Sequence, residues 1–240
     1  MADLILSLIP LALGIVMSPL AIMALVAVLL SRLARANGIA FLAGWIVAVA
    51  IGLGASFWLL GLLELHELDA PPVWVPIVRL LLSLLLGVAA WWTYRKGHAR
   101  TVAMAKATTP TEVTAAAPQL PGWLKSIDAF TPARSFALGL GIFILNPVDL
   151  SCAVLAALDL RLAALSTASN VWVLVIFGVI SVLPIAVPVI LVLVRGEAAA
   201  PVLGRVRSWI ASHTSVLNAA LILVIAVLQL QKALSTLLSY

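Results

Sequence analysis

Six stretches of this 240-residue chain are long and apolar enough to cross a lipid bilayer: 4–30, 38–63, 73–94, 135–158, 171–194 and 214–237. Each exceeds the ~20 residues that a helix needs to span the hydrocarbon core. Backbone groups in lipid have no water to pair with, so only helices and closed barrels are admissible there. The apolar–polar alternation of barrel strands is absent. With 64% hydrophobic and 10% charged residues, the chain is excluded from the ordinary soluble class. It reads as an all-α integral membrane protein. The first stretch lacks a basic leading segment and is too long for a signal peptide, so it is expected to be a retained helix.

The basic residues set the expected topology. Arg32 and Arg35 lie between the first two stretches. Arg95, Lys96, Arg100, Lys106, Lys125 and Arg134 lie between the third and fourth, and Arg195, Arg205 and Arg207 between the last two. The opposite connections hold Glu64, Glu67 and Asp69, with Arg161 and Lys232 as their basic residues. The positive-inside rule then puts the three basic loops in the cytoplasm and both termini outside. The net charge of +5 reflects this distribution, and no nucleic-acid partner is expected. Trp91, Trp92 and Tyr94, with Trp58 and Trp74 opposite, read as interfacial anchors.

A short pattern occurs once in each half. Leu13-Gly14-Ile15-Val16-Met17-Ser18-Pro19 lies in the first stretch, and Leu140-Gly141-Ile142-Phe143-Ile144-Leu145-Asn146-Pro147 in the fourth. Proline in mid-helix removes a donor and clashes with the preceding turn, so helices 1 and 4 are predicted to break at Pro19 and Pro147. Ser18 and Asn146 stand where an N-cap precedes a proline at the first helical position. Helix starts inside a bilayer direct partial positive charge at a bound anionic group; a kink patched by its polar neighbour is the plainer alternative. Three helices per half make the second half enter from the opposite side, so the repeat is an inverted one. The division is 1–94 for the first three-helix repeat, 95–134 for a cytoplasmic linker, and 135–240 for the second repeat. Within the linker, 99–120 read as flexible, and 121–134 as either a short interfacial helix or an ordered connector.

Asp149 is the acidic residue well inside a predicted span, where a carboxylate costs roughly 3 kcal/mol on insertion scales unless paired, protonated or wet. It lies three residues after Asn146, so it could reach back to the cap or serve as a proton or cation site. Arg79 is the basic residue well inside a span, and counting residues from the outer helix ends puts it within roughly 5 Å of Asp149 in depth. An Arg79–Asp149 pair is the expectation, with snorkelling of Arg79 as the alternative. Gly44, Ala48, Gly52 and Ser56 recur at four-residue spacing and predict close packing on another helix. Pro184 and Pro188 should bend the fifth helix.

Several chemistries find no support in the residues. The single cysteine, Cys152, cannot form an internal disulfide or a two-thiol relay. His66, His98 and His213 lack metal-ligand spacing, and no phosphate-binding Gly-Lys-Ser/Thr loop is present. No cofactor, metal or catalytic residue is expected, and transport would be secondary, passive or powered by a partner.

These motifs, taken in order, resemble a known family. Pro10-Leu11-Ala12-Leu13-Gly14-Ile15, Ser18-Pro19, Ser31-Arg32, Ala34-Arg35-Ala36-Asn37-Gly38 and Phe41-Leu42-Ala43-Gly44-Trp45 are similar to the GAP family. These are the glycopeptidolipid- or sulfolipid-addressing proteins of actinobacteria, within the LysE superfamily. Asp128-Ala129-Phe130-Thr131-Pro132-Ala133-Arg134, Asn146-Pro147, Ala199-Ala200-Pro201-Val202-Leu203 and Arg205-Val206-Arg207-Ser208-Trp209 carry the resemblance through the second half. The resemblance implies six helices in a three-plus-three pattern, a bacterial plasma-membrane location, and a role in moving envelope glycolipids or other lipids outward. Members often have Lys after the Asn-Pro, whereas this chain has Val148 and then Asp149, which weakens substrate inference by analogy. Thiol-electron carriers of the superfamily need cysteines in both broken helices, and its nickel and cobalt exporters a His-rich loop. Both features are missing here.

The resulting expectation is a non-enzymatic transporter, or transport accessory, for an anionic or amphipathic envelope lipid. Its site would be Ser18, Pro19, Asn146, Pro147, Asp149 and Arg79, and its partners membrane lipids, lipid-export machinery or a second copy in a homodimer. The alternatives are a proton-coupled exporter of a small polar solute, such as an amino acid or cation, and a non-transporting scaffold subunit of a lipid-export complex.

Overall fold

The computed structural model describes residues 2–63, 71–106 and 131–238. Among these residues the secondary structure is entirely helical: α1 (Ala2–Val16), α2 (Pro19–Leu29), α3 (Ala34–Gly61), α4 (Trp74–Lys106), α5 (Pro132–Leu145), α6 (Pro147–Leu162), α7 (Thr167–Arg195) and α8 (Ala200–Leu237), with a 3₁₀ turn at Gly196–Ala199. Four of these helices contain single runs long and apolar enough to cross a membrane. The pairs α1–α2 and α5–α6 pass the same test together but bend by 42° and 66° at their breaks. Counting each bent pair as one span gives six.

Both breaks fall where proline chemistry puts them. A residue before proline is driven out of the helical region by the ring. Ser18 accordingly has φ −64°, ψ 100°, and Asn146 has φ −82°, ψ 110°. One extended residue in each case ends one helix, and its carbonyl starts the next: Ile22 N–H donates to Ser18 and Leu150 N–H to Asn146. Pro184 and Pro188, by contrast, lie inside a helix that runs without interruption from Thr167 to Arg195.

The two helices that follow the breaks lie in the middle of the bundle. In α2, Ala21 and the run Ala24–Leu29 are buried, and in α6 so are Ser151–Ala153 and Leu155–Leu160. A helix that is apolar all round is suited to such a place. The longer helices form the periphery: α4 packs on α8, and α3 on α5, α6 and α7. Their outer faces present large apolar side chains such as Leu81, Val88, Ile176 and Val179. Lipid tails are as apolar as these side chains, so close packing must hold the helices together.

Helices α3 and α5 approach each other closely. A Cβ on Gly44 would collide with the Phe136 carbonyl, and one on Gly139 with the Phe41 carbonyl. Each glycine thus admits the other helix's backbone. Gly52 receives the edge of the Phe143 ring, and Phe143 meets Trp45 edge-on at 5.3 Å. The Gly44–Ala48–Gly52 ridge therefore packs against a helix, as its spacing predicts. The motif glycines are less alike: Gly14 lies against Cys152 Sγ and Ile225, whereas nothing stands within 4 Å of a Cβ on Gly141.

One boundary differs from expectation here. Helix α4 continues to Lys106, so 99–106 belong to a helix and not to a flexible linker. The segment Ala-Arg-Thr-Val-Ala-Met-Ala-Lys is rich in good helix formers that simply continue α4 beyond its apolar part. The remaining linker, including 121–130 of the interfacial-helix segment, lies outside the described residues, as do Glu64, Glu67 and Asp69. At the far end of α4, Lys96 Nζ sits 3.5 Å over the Trp92 ring and Arg95 stacks more loosely on Trp91.

Candidate functional site

The two breaks meet. Asp149, in the first turn of α6, is completely buried and accepts from Ser18 Oγ at 3.0 Å and from Asn146 Nδ2 at 2.7 Å, both on Oδ2. Asn146 Nδ2 also lies 3.3 Å from Ser18 Oγ. A side chain from α1–α2 and two from α5–α6, separated by more than half the sequence, thus form one polar junction between two proline-led helix starts. The other carboxylate oxygen, Asp149 Oδ1, is buried without a hydrogen-bond partner. No ion pair reaches Asp149 among the described residues.

Ser18 and Asn146 do different jobs within the junction. Asn146 caps its helix as expected, its Oδ1 accepting from Val148 N–H at 3.1 Å. Ser18 was expected to cap α2 in the same way, but its side chain makes no cap bond. Its hydroxyl donates to Asp149 instead. Asp149 does reach back to the cap, but to the side-chain amide of Asn146. The backbone N–H of Asn146 is already held by the Ile142 and Phe143 carbonyls at the end of α5. Pro19 and Pro147 each occupy the first position of the helix that follows the break. The junction is buried on one side only: Asn146 is half-buried, and its neighbours Leu145 and Pro147 are exposed on the bundle surface.

Arg79 is not part of this junction. Its Nη2 pairs with Asp159 Oδ1 at 2.6 Å, and its Nη1 donates to Gln229 Oε1 at 2.7 Å. The predicted Arg79–Asp149 pair is therefore replaced by an Arg79–Asp159 pair. The purely apolar stretch ends at residue 158, one residue short of Asp159, but α6 runs on to Leu162. Asp159 is thus about one turn from the end of α6, and Arg79 a little over one turn from the start of α4, so their depths match. Lys232 completes the network, its Nζ 2.8 Å from Asp159 Oδ2. Asp159 and Gln229 were missed as site residues. Gln229 and Lys232 lie three apart on α8, the spacing that puts two residues on one helix face, and that spacing was the available signal.

Near the same end, Arg161 Nε donates to the Phe57 carbonyl at 2.8 Å, and its guanidinium lies 3.6 Å over the Phe57 ring. Gly61 leaves the space for it. Among the described residues, no cluster of three or more His, Cys, Asp or Glu side chains comes together. The one thiol, Cys152, is free and buried one turn below Asp149.

A family model described as "Sap, sulfolipid-1-addressing protein" matches residues 8–235, which include both breaks and the Arg79 network. The comparisons with curated proteins and with solved structures each found no match.

Proposed function

We propose, from the premise that this chain belongs to the sulfolipid-1-addressing protein family, that it moves an anionic, amphipathic envelope lipid outward across the plasma membrane, or assists a machine that does. The reading makes it non-enzymatic, with both termini outside and the basic loops in the cytoplasm. There they would attract anionic lipids of the inner leaflet. The two three-helix halves are read as an inverted repeat, each led by its bent pair, a kinship extending to the wider LysE superfamily. A lipid-export complex or a second copy of the chain are partners consistent with an accessory role.

The observation that carries the reading is the lateral setting of the junction. Ser18, Asn146 and Asp149 form a polar centre between two helix starts, and exposed Leu145 and Pro147 flank it on the bundle surface. A headgroup could reach such a centre sideways from the bilayer while its chains stay in lipid. In this account Asn146 holds the α6 start, Ser18 ties the two breaks together, and Asp149 sets the charge of the centre. Asp149 Oδ1, buried without a partner, favours a second reading in which Asp149 carries a proton or cation for export of a small polar solute.

Purified protein in liposomes distinguishes these. Fluorophore-tagged phosphatidylglycerol crossing the bilayer faster than in protein-free vesicles, with no pH-driven amino-acid flux, is the expected result. Solute flux driven by a pH gradient without lipid movement overturns the lipid reading. A stable copurifying complex with neither activity points to the scaffold role.

A further inference from the structure

A half-open cleft of about 240 Å³ lies between α1 and α8, lined by none of the residues at the helix breaks. Its apolar wall includes Leu6, Pro10, Ile225 and Leu228, and its polar end is Gln229 and Lys232. That polar end belongs to the Arg79 network, where two cations face a single carboxylate: Arg79 and Lys232 both bind Asp159. Arg79 is buried, but the Lys232 side chain is 37% exposed. The network therefore presents a surplus positive charge at the cleft. An ammonium has three donors, and Asp159 takes one of those on Lys232. Gln229 has its carboxamide oxygen committed to Arg79, which leaves the amide nitrogen as the end that can donate to a ligand.

The α1 wall adds an acceptor. Pro10 sits inside α1 and has no N–H, so the carbonyl of Leu6, four residues earlier, lacks its helical donor. Leu6 and Leu228 are exposed at the bundle surface, so the apolar part of the cleft is continuous with the lipid-facing side. The cleft lies at the end of the bundle opposite Arg95, Lys96 and Arg205, because it is built from the start of α1 and the end of α8.

We infer that this cleft is a second lipid site, which takes a single anionic lipid bearing a hydroxylated headgroup. Lys232 and the Gln229 amide bind the anionic oxygens, the Leu6 carbonyl accepts from a headgroup hydroxyl, and one acyl chain lies along Pro10, Ile225 and Leu228. The inference rests on the lipid reading above and deepens it: the cleft is where the lipid is held in the leaflet remote from the basic loops, after it has passed the junction. Lys232 acts through its charge; Asp159 holds it in place, and Arg79 holds Asp159 and Gln229.

The test is retention of phosphatidylglycerol by the full-length protein. Protein from vesicles of phosphatidylcholine and phosphatidylglycerol at 4:1 (about a fifth phosphatidylglycerol) is purified in detergent, and bound lipid is counted by mass spectrometry. Wild type should retain phosphatidylglycerol selectively. Lys232→Gln should lower retention about tenfold, the loss expected for one charge-assisted contact, and Lys232→Arg should largely restore it. Leu228→Trp fills the cleft without touching the ion pairs and should also lower retention, whereas Leu223→Trp, elsewhere on α8, should not. Equal retention of both lipids by wild type, or wild-type retention by both Lys232→Gln and Leu228→Trp, overturns the inference. Tagged-lipid movement measured in the same vesicles separates the two claims. Selective retention that obeys these variants, with no movement by wild type, would refute the transport reading and leave the cleft standing.

Discussion

Two aspartates on one helix, ten residues apart, live in opposite electrostatic worlds. Asp159, near the end of α6, is held by two cations, Arg79 and Lys232. Asp149, in the first turn, is met by two neutral donors, Ser18 and Asn146, and has one oxygen left over. Both are buried. The first arrangement compensates the charge on the spot and ties α4, α6 and α8 together. The second leaves the acid dependent on hydrogen bonds from two helix breaks. A carboxylate retained in that setting does little for stability that a neutral side chain could not do. The contrast places Asp159 among the groups that hold the bundle together, and under the proposed lipid reading it leaves Asp149 as the acid of the moving centre.

The largest effect should come from taking away the acid that holds. Asp159→Ala strands Arg79 inside the bundle with Gln229 alone, and removing one member of a buried pair typically costs about 3–5 kcal/mol. Unfolding of the detergent-solubilised protein by denaturant measures this; a loss below 1 kcal/mol would show that Arg79 escapes to the surface. Next comes the α3–α5 crossing. Gly44→Val drives a side chain into the Phe136 carbonyl, and overpacking of this kind costs about 1–3 kcal/mol. Gly141→Ala, where no atom lies within 4 Å, should stay near wild type in the same assay.

Smaller differences separate the two breaks. Asn146→Ala removes a helix cap, worth about 1 kcal/mol, together with a donor to Asp149. Ser18→Ala removes only the donor, so the asparagine variant should be the less stable of the two. Equal losses would mean that the cap at Val148 contributes nothing. Of the three junction variants, Asp149→Asn should change stability least, by under about 1 kcal/mol, because the amide oxygen can still accept from Ser18 and Asn146.

The sequence was most informative where local chemistry alone determines structure. A residue before proline must leave the helical region, so the breaks at Ser18 and Asn146 were legible at single-residue resolution. The glycine ridge on α3 was legible because its spacing specifies a face. What could not be read was which partner each polar group would find. Ser18 and Asn146 look equivalent in the chain, yet Asn146 has both an acceptor for the Val148 N–H and an amide to give, whereas Ser18 has one hydroxyl and spends it across the junction. Hydropathy ends the span before Asp159 and so points Arg79 at Asp149, whereas its partner is Asp159. An ion pair with matched depth can extend a membrane helix beyond its last purely apolar residue, and no window average registers that. The pairing of the two breaks, one in each half, places Ser18, Asn146 and Asp149 in one site, but the hydrogen bonds that join them are a tertiary fact.

If the junction is the moving centre, its acid should matter to movement and hardly at all to folding. The direct measurement is tagged-phosphatidylglycerol movement in liposomes by Asp149→Asn, set beside the unfolding free energy of the same protein. The account predicts movement reduced at least about tenfold, equivalent to about 1.4 kcal/mol in the barrier, with stability held within about 1 kcal/mol of wild type. Movement at the wild-type rate by a stably folded Asp149→Asn protein would contradict it.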